Sequence, residues 1–188
     1  VKLAQEKGAK GINAVGMCCT GNELLMRQGI PIAGNFLLQE LAIATGAVEV
    51  MIVDYQCIMP TVTHIASCYH TKVVTTSEKA KIPGAIHIQF EPEHGYDKAK
   101  EIVRMAVEAY ENRNPDRVRI PKRSMRVLAG FSVEAILKAF GGSVKPLVEA
   151  IKEGKIRGVA AIVGCNNPKI KQDYNHVTLT RRLIAVSY

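Results

Sequence analysis

Apolar runs of strand length alternate along this chain with segments of helical period, and that alternation constrains the fold more than any other feature. The strand candidates are INAVGM at 12–17, VEVMIVDY at 48–55, KVVTT at 72–76, AIHIQF at 85–90, MRVLAGF at 125–131, GVAAIVG at 158–164 and the terminal LIAVSY. Several are apolar throughout, as strands covered on both faces are. Helical periods occupy 22–28, 36–45, 60–69, 95–112, 132–140, 144–153 and 177–183. The longest, DKAKEIVRMAVEAYENR, puts Ala99, Ile102, Val103, Ala106 and Tyr110 on one stripe and charges on the other. The pattern predicts an α/β fold in three layers, a mostly parallel sheet with helices on both faces and strands ending on one edge. With no internal repeat, low-complexity stretch or break in composition, residues 1–188 read as a single domain.

At 188 residues and 47% apolar, the chain is long enough to bury a core without staples and too apolar for disorder. No apolar run reaches the roughly 18 residues of a membrane span. No basic segment with an apolar core opens it as a signal peptide would, so the expectation is a cytoplasmic protein. Val1 stands in place of Met and LIAVSY stops without a closing turn, which reads as a fragment of a longer chain. Part of the formal +8 charge lies in NRNPDRVRIPKRSMR, with Arg113, Arg117, Arg119, Lys122, Arg123 and Arg126. No aromatic residue is interleaved with these bases, which favours a solvated loop over a nucleic-acid patch.

The glycine-rich turns imitate nucleotide and hydrolase motifs without completing them. Gly16 and Gly21 have phosphate-loop spacing, yet Asn22 and Glu23 stand where the phosphate-gripping Lys and the magnesium-binding hydroxyl belong. No G-x-G-x-x-G follows any strand. Ser132 sits in a turn like a nucleophile elbow, but Glu134 replaces its closing Gly, and Ser132 reads as the cap of the next helix.

The five cysteines lack both the pairing of a disulfide framework and the C-x-x-C spacing of zinc sites. Their placement is more telling. Cys18 and Cys19 follow INAVGM, Cys57 follows VEVMIVDY by two residues, and Cys165 follows GVAAIVG, each before helix-capping residues or a helix. In a parallel sheet the strand ends share one edge, where ligands gather, so three sequence-distant thiols are expected to meet there. Soft metals and iron–sulfur clusters take thiolates so placed. Cys68 reads as a bystander, and His64, His87 and His94 as surface or helix-packing residues.

The segments GINAVGMCCTGNELLMRQGIP, VDYQCIMP, AGFSVEAI and VGCNNPK closely resemble the central domain of the anaerobic nickel-iron-sulfur carbon monoxide dehydrogenases, in the type that partners acetyl-CoA synthase. The likeness runs from about Gly11 to the C-terminus. It implies a Rossmann-like domain lending ligands to a nickel-iron-sulfur cluster at which CO and water become CO2, two protons and two electrons. By resemblance, Cys19 of CCTGNE binds the unique iron outside the cubane, and Cys57 of DYQC and Cys165 of GCNN bind irons of the cubane. Cys18 reads as a packed thiol beside a ligand, and no residue of this chain is assigned as catalytic. Asn22, Asn166 and Asn167 are candidates for hydrogen bonds around the cluster, or for helix caps.

The resemblance also says what this stretch lacks: an upstream histidine ligand, two downstream cysteine ligands, one of them on nickel, and the proton-moving lysine and histidine. The N-terminal helical region with further 4Fe-4S clusters is missing too, as is the C-terminal domain. With three of six protein ligands, the fragment alone is expected to be inactive. The family implies a homodimer, a ferredoxin-type electron acceptor and, in some members, an acetyl-CoA synthase partner. Two other readings compete: a hybrid-cluster (hydroxylamine reductase) relative, and a non-catalytic Rossmann-like scaffold or nucleotide-binding module.

Overall fold

Two adjacent valines, Val73 and Val74, show how the central sheet acquires a core on each face. Successive side chains of a strand point to opposite sides. Val73 joins Ile43, Val53, Val62 and Ala66 in one buried cluster, while Val74 joins Ile88 and Ile102 in another. Ile43, Val62 and Val74 are fully buried, each stabilising the fold by about 1.5–3 kcal/mol relative to an exposed side chain.

The computed structural model describes residues 1–126, 130–165 and 169–186. In chain order the elements are α1 (Lys2–Glu6), β1 (Gly16–Met17), α2 (Cys18–Gln28), β2 (Ile32–Gly34), α3 (Gln39–Ala44), β3 (Val50–Val53), α4 (Val62–Ser67), β4 (Lys72–Thr75), β5 (Ile86–His87), α5 (Gly95–Tyr110), α6 (Val133–Ala139), α7 (Lys145–Lys152) and α8 (Tyr174–Val186). Strands β1 and β2 pair, and β3, β4 and β5 form a second sheet in that order. Every described pairing is parallel. Helices α3 and α4 supply the first buried cluster and α5 the second, so the β3–β4–β5 sheet lies between helical layers. This is the α/β, Rossmann-like architecture that the sequence predicts. Among the described residues no helix is long and apolar enough to cross a membrane.

Several elements differ from the sequence pattern. Helix α2 starts at Cys18 rather than near residue 22, and ends at Gly29, whose φ of 70° lets its N–H reach the Leu25 carbonyl at 2.9 Å. The strand expected at 158–164 is unpaired, and the described part of 125–131 is no strand either. A ladder needs a neighbouring backbone, which an apolar pattern alone does not supply. Val159 and Val163 are accordingly exposed. The terminal run is helical rather than extended as far as Val186, because no Gly or Pro interrupts 174–186 and α8 carries through it. On α5 the buried positions are Ile102, Val107 and Ala109, with Met105 packed on the sheet, while Val103 faces solvent. Ser132 caps α6 as expected, its Oγ accepting from the Ala135 N–H at 3.2 Å.

The basic segment is only partly a solvated loop. Arg113 donates to the Glu49 carboxylate at 2.8 Å and to the Ala47 carbonyl at 3.1 Å. Arg117 lies 4.3 Å from the Tyr69 ring centre and donates to the Cys68 carbonyl at 2.8 Å. These two arginines strap the chain across the entry to β3 and the end of α4. Arg119, Lys122, Arg123 and Arg126 are exposed.

Candidate metal centre

The turn carrying Cys18 and Cys19 is closed by backbone against backbone. A Cβ on Gly16 would lie 2.4 Å from the Gly21 Cα, and one on Gly21 would lie 2.5 Å from the Gly16 carbonyl carbon. The Gly-x4-Gly spacing that imitates a phosphate loop thus has a steric purpose: it folds the first turn of α2 back onto β1 with two cysteines between. Cys18 takes a φ of 58° and Cys57 a φ of 56°, the left-handed region that non-glycine residues seldom occupy. Two such residues in the cysteine-bearing loops, after β1 and after β3, are backbone strain of the kind that collects at functional sites.

Two side chains join these loops. Thr20 donates to Asp54 at 2.7 Å, tying the double-cysteine turn to the end of β3. Gln39, at the start of α3 and 5% exposed, reaches both loops. Its Nε2 donates to the Cys18 Sγ at 3.4 Å and to the Cys57 carbonyl, and its Oε1 accepts from the Met59 N–H at 2.9 Å.

Cys18 feels the thiols of Cys57, Cys165 and Cys19, and Cys57 feels those of Cys19 and Cys165. Burial pushes the Cys18 thiol up from its ordinary pKa, its three thiol neighbours push the same way, and the Gln39 hydrogen bond opposes them. The Cys57 thiol is also raised, by partial desolvation and then by Cys19 and Cys165, with a hydrogen bond to Cys19 and the Asp54 charge adding to it. Because Cys57 is an exposed residue overall, its neighbouring groups are the firmer physical cause. Cys68 stands apart at the end of α4, its Sγ 3.8 Å from the His64 carbonyl.

His64 and His94 are exposed, and His87 bonds to Thr75 at 2.9 Å on the neighbouring strand. Among the described residues no hydrogen bond joins Asn22 to a cysteine, while Asn166 and Asn167 lie outside the described residues. Nor do any three described His, Cys, Asp or Glu side chains form a set that could hold one metal ion. A cluster makes a different demand, since it spreads its thiolates over several metal atoms. Four soft donors from three distant segments, uncovered by disulfides, fit such a group in kind.

The sequence matches the Prismane/CO dehydrogenase family over residues 2–187. The chain belongs to that family. Carbon monoxide dehydrogenase 1 of Methanosarcina mazei is 57% identical over 184 residues, covering 98% of this chain and 29% of the relative. The carbon monoxide dehydrogenase/acetyl-CoA synthase subunit beta of Moorella thermoacetica is 48% identical, covering 96% of this chain and 28% of its own length. Among solved structures, the Ni-free carbon monoxide dehydrogenase of Thermococcus sp. AM4 superposes with a TM-score of 0.79 at 62% identity, covering 97% of this chain and 29% of that one. The chain therefore spans under a third of the length of these Prismane/CO dehydrogenase relatives.

Gln39, Thr20 and Asp54 are the site residues that sequence reasoning misses. The signal for Gln39 is its phase: it stands four residues before the fully buried Ile43, so a polar side chain occupies the buried face of a short apolar helix. Thr20 and Asp54 carry no comparable signal, because their contact spans 34 residues of sequence.

Proposed function

We propose that this chain is one Rossmann-like domain of a nickel-iron-sulfur carbon monoxide dehydrogenase, in which the full-length protein oxidises CO with water to CO2, two protons and two electrons. What supports the reading is that Cys57 feels the thiols of Cys19 and Cys165, both distant in sequence, in a chain whose family and relatives are named for this enzyme. In it Cys19 holds the iron outside the cubane, and Cys57 and Cys165 hold irons of the cubane. When bound, the cluster supplies metals that activate CO and water and accepts the two electrons.

The chain's own residues make the site rigid. The closed turn at Gly16 and Gly21 aims Cys19, the Thr20–Asp54 bond fixes that turn to β3, and Gln39 ties α3 to both cysteine loops. Such surrounding bonds orient ligands and tune the metals they hold. The remaining ligands, further 4Fe-4S clusters and proton-moving groups come from the rest of the full-length enzyme, so this stretch alone is inactive. The wider reading is a cytoplasmic homodimer passing electrons to a ferredoxin-type acceptor. The name of the Moorella relative supports association with an acetyl-CoA synthase subunit.

Anaerobic reconstitution of the full-length protein with iron, sulfide and nickel, followed by CO-dependent dye reduction, tests the proposal. Nickel-dependent dye reduction is the expected result. Hydroxylamine reduction without CO oxidation would transfer the chain to the hybrid-cluster relatives, and a protein that takes up no metal would leave a scaffold.

A further inference from the structure

We propose that Gln39 is the positioning residue that sets the distance between the two cysteine loops and holds the Cys57 loop in its strained conformation. The inference rests on the cluster-ligand reading above and adds a residue to it. A primary amide offers two N–H donors and a carbonyl acceptor. At Gln39 both kinds are engaged, and every partner belongs to a cysteine loop: the Cys18 sulfur, the Cys57 carbonyl and the Met59 N–H.

The last two contacts form a clamp. One carboxamide grips the carbonyl of Cys57 and the N–H two residues later, pinning the peptide units on both sides of Ile58. Cys57 has a φ of 56°, which costs a non-glycine residue about 1–3 kcal/mol. Such a conformation persists only where its surroundings over-determine it, and the clamp supplies that. Because the Cα–Cβ direction follows from φ and ψ, holding the backbone there also aims the Cys57 sulfur. The remaining contact extends the same carboxamide to the Cys18 sulfur, next to Cys19 in the chain. Gln39 is anchored in turn, since it starts α3 on the same face as the fully buried Ile43. The sheet core is thereby linked to both thiol loops through one side chain.

The test uses two near-isosteric variants of the full-length enzyme. Gln39→Met removes all three bonds. Gln39→Glu keeps an oxygen for the Met59 N–H but, as a carboxylate, donates to neither Cys57 nor Cys18. Both should lower CO oxidation by about 10–100-fold, as losses of such orienting bonds do, and both should shift the electron paramagnetic resonance lines of the nickel-iron-sulfur cluster. Hydrogen exchange separates positioning from general loosening. The Met59 amide should lose protection in Gln39→Met and keep it in Gln39→Glu, while the amides of β3 and β4 stay protected in both. Wild-type turnover with unshifted lines, in a Gln39→Met enzyme whose Met59 amide exchanges freely, overturns the proposal. Unfolding of both variants overturns it equally, since Gln39 would then be a folding residue. A parallel Cys57→Ala enzyme keeps the two readings apart: full iron and nickel there would sink the ligand assignment, whereas lost metal there beside unchanged Gln39 variants would sink only the positioning role.

Discussion

Replacing Gly16 by alanine puts a methyl group where the chain has no room for one. Its Cβ would lie 2.4 Å from the Gly21 Cα and 2.9 Å from the Gly21 carbonyl oxygen. Carbon atoms in contact normally sit about 3.5–4.0 Å apart, so the turn is short of space by about 1 Å. The obstacle is backbone, which cannot swing aside as the tip of a long side chain can. Overpacking of this kind costs about 1–3 kcal/mol, and the forced opening separates β1 from the first turn of α2, the turn that carries Cys18 and Cys19. A misplacement of about 1 Å at a reacting centre can cost on the order of 100-fold in rate. The expected phenotype is therefore a modest fall in melting temperature with a disproportionate loss of activity. The assay is thermal melting, metal analysis and CO-dependent dye reduction on full-length Gly16→Ala enzyme. Gly11→Ala serves as control, because a Cβ there meets nothing within 4 Å. A Gly16→Ala enzyme with wild-type metal content and turnover would refute the steric argument and the link between this turn and the cluster.

Two further substitutions probe the ties around the site and the sheet. Thr20→Val removes the bond to Asp54 without changing shape; exposure limits the stability loss to about 1 kcal/mol, so the larger effect should be on nickel uptake, measured by metal analysis after anaerobic reconstitution. Arg113→Ala breaks a part-buried pair with Glu49, which also holds His70 at 3.0 Å. Its loss should cost about 1.5–3 kcal/mol in denaturant unfolding, and an unchanged midpoint would return the basic segment to the status of a solvated loop.

What the sequence makes legible here is whatever depends on local pattern. Runs such as VEVMIVDY and KVVTT contain the strands β3 and β4, since short parallel strands packed in the interior of an α/β fold are apolar almost throughout. The positions of Cys18 and Cys57 after strands are legible for a related reason, since apolar runs of this kind become β1 and β3, whereas the run before Cys165 does not become a strand among the described residues. GVAAIVG and LIAVSY have the same look and yet form no strand among the described residues. A short apolar run is equally compatible with a helix, as Leu183 to Val186 show in α8. The bonds that fix the site were out of reach for another reason. Gln39 meets Cys18 across 21 residues and Thr20 meets Asp54 across 34, and no periodicity encodes a polar contact at such separations. Gly16 and Gly21 lie between these cases, their spacing visible but its purpose evident only once two backbones are seen to touch.

The central claim is that Cys19, Cys57 and Cys165 hold a nickel-iron-sulfur cluster in the full-length enzyme, and metal analysis with CO oxidation on three alanine variants tests it most directly. On the proposed assignment, Cys57→Ala and Cys165→Ala would remove corner ligands of the cubane and should lower iron, nickel and activity together. On the same assignment, Cys19→Ala would remove one ligand of the iron outside the cubane and should abolish turnover while most of the cubane iron remains. Cys68→Ala, at the end of α4 with its thiol 3.8 Å from the His64 carbonyl, should match the wild type in both measurements. A Cys19→Ala enzyme with wild-type turnover, or a Cys57→Ala or Cys165→Ala enzyme with its full complement of iron and nickel, would contradict the account.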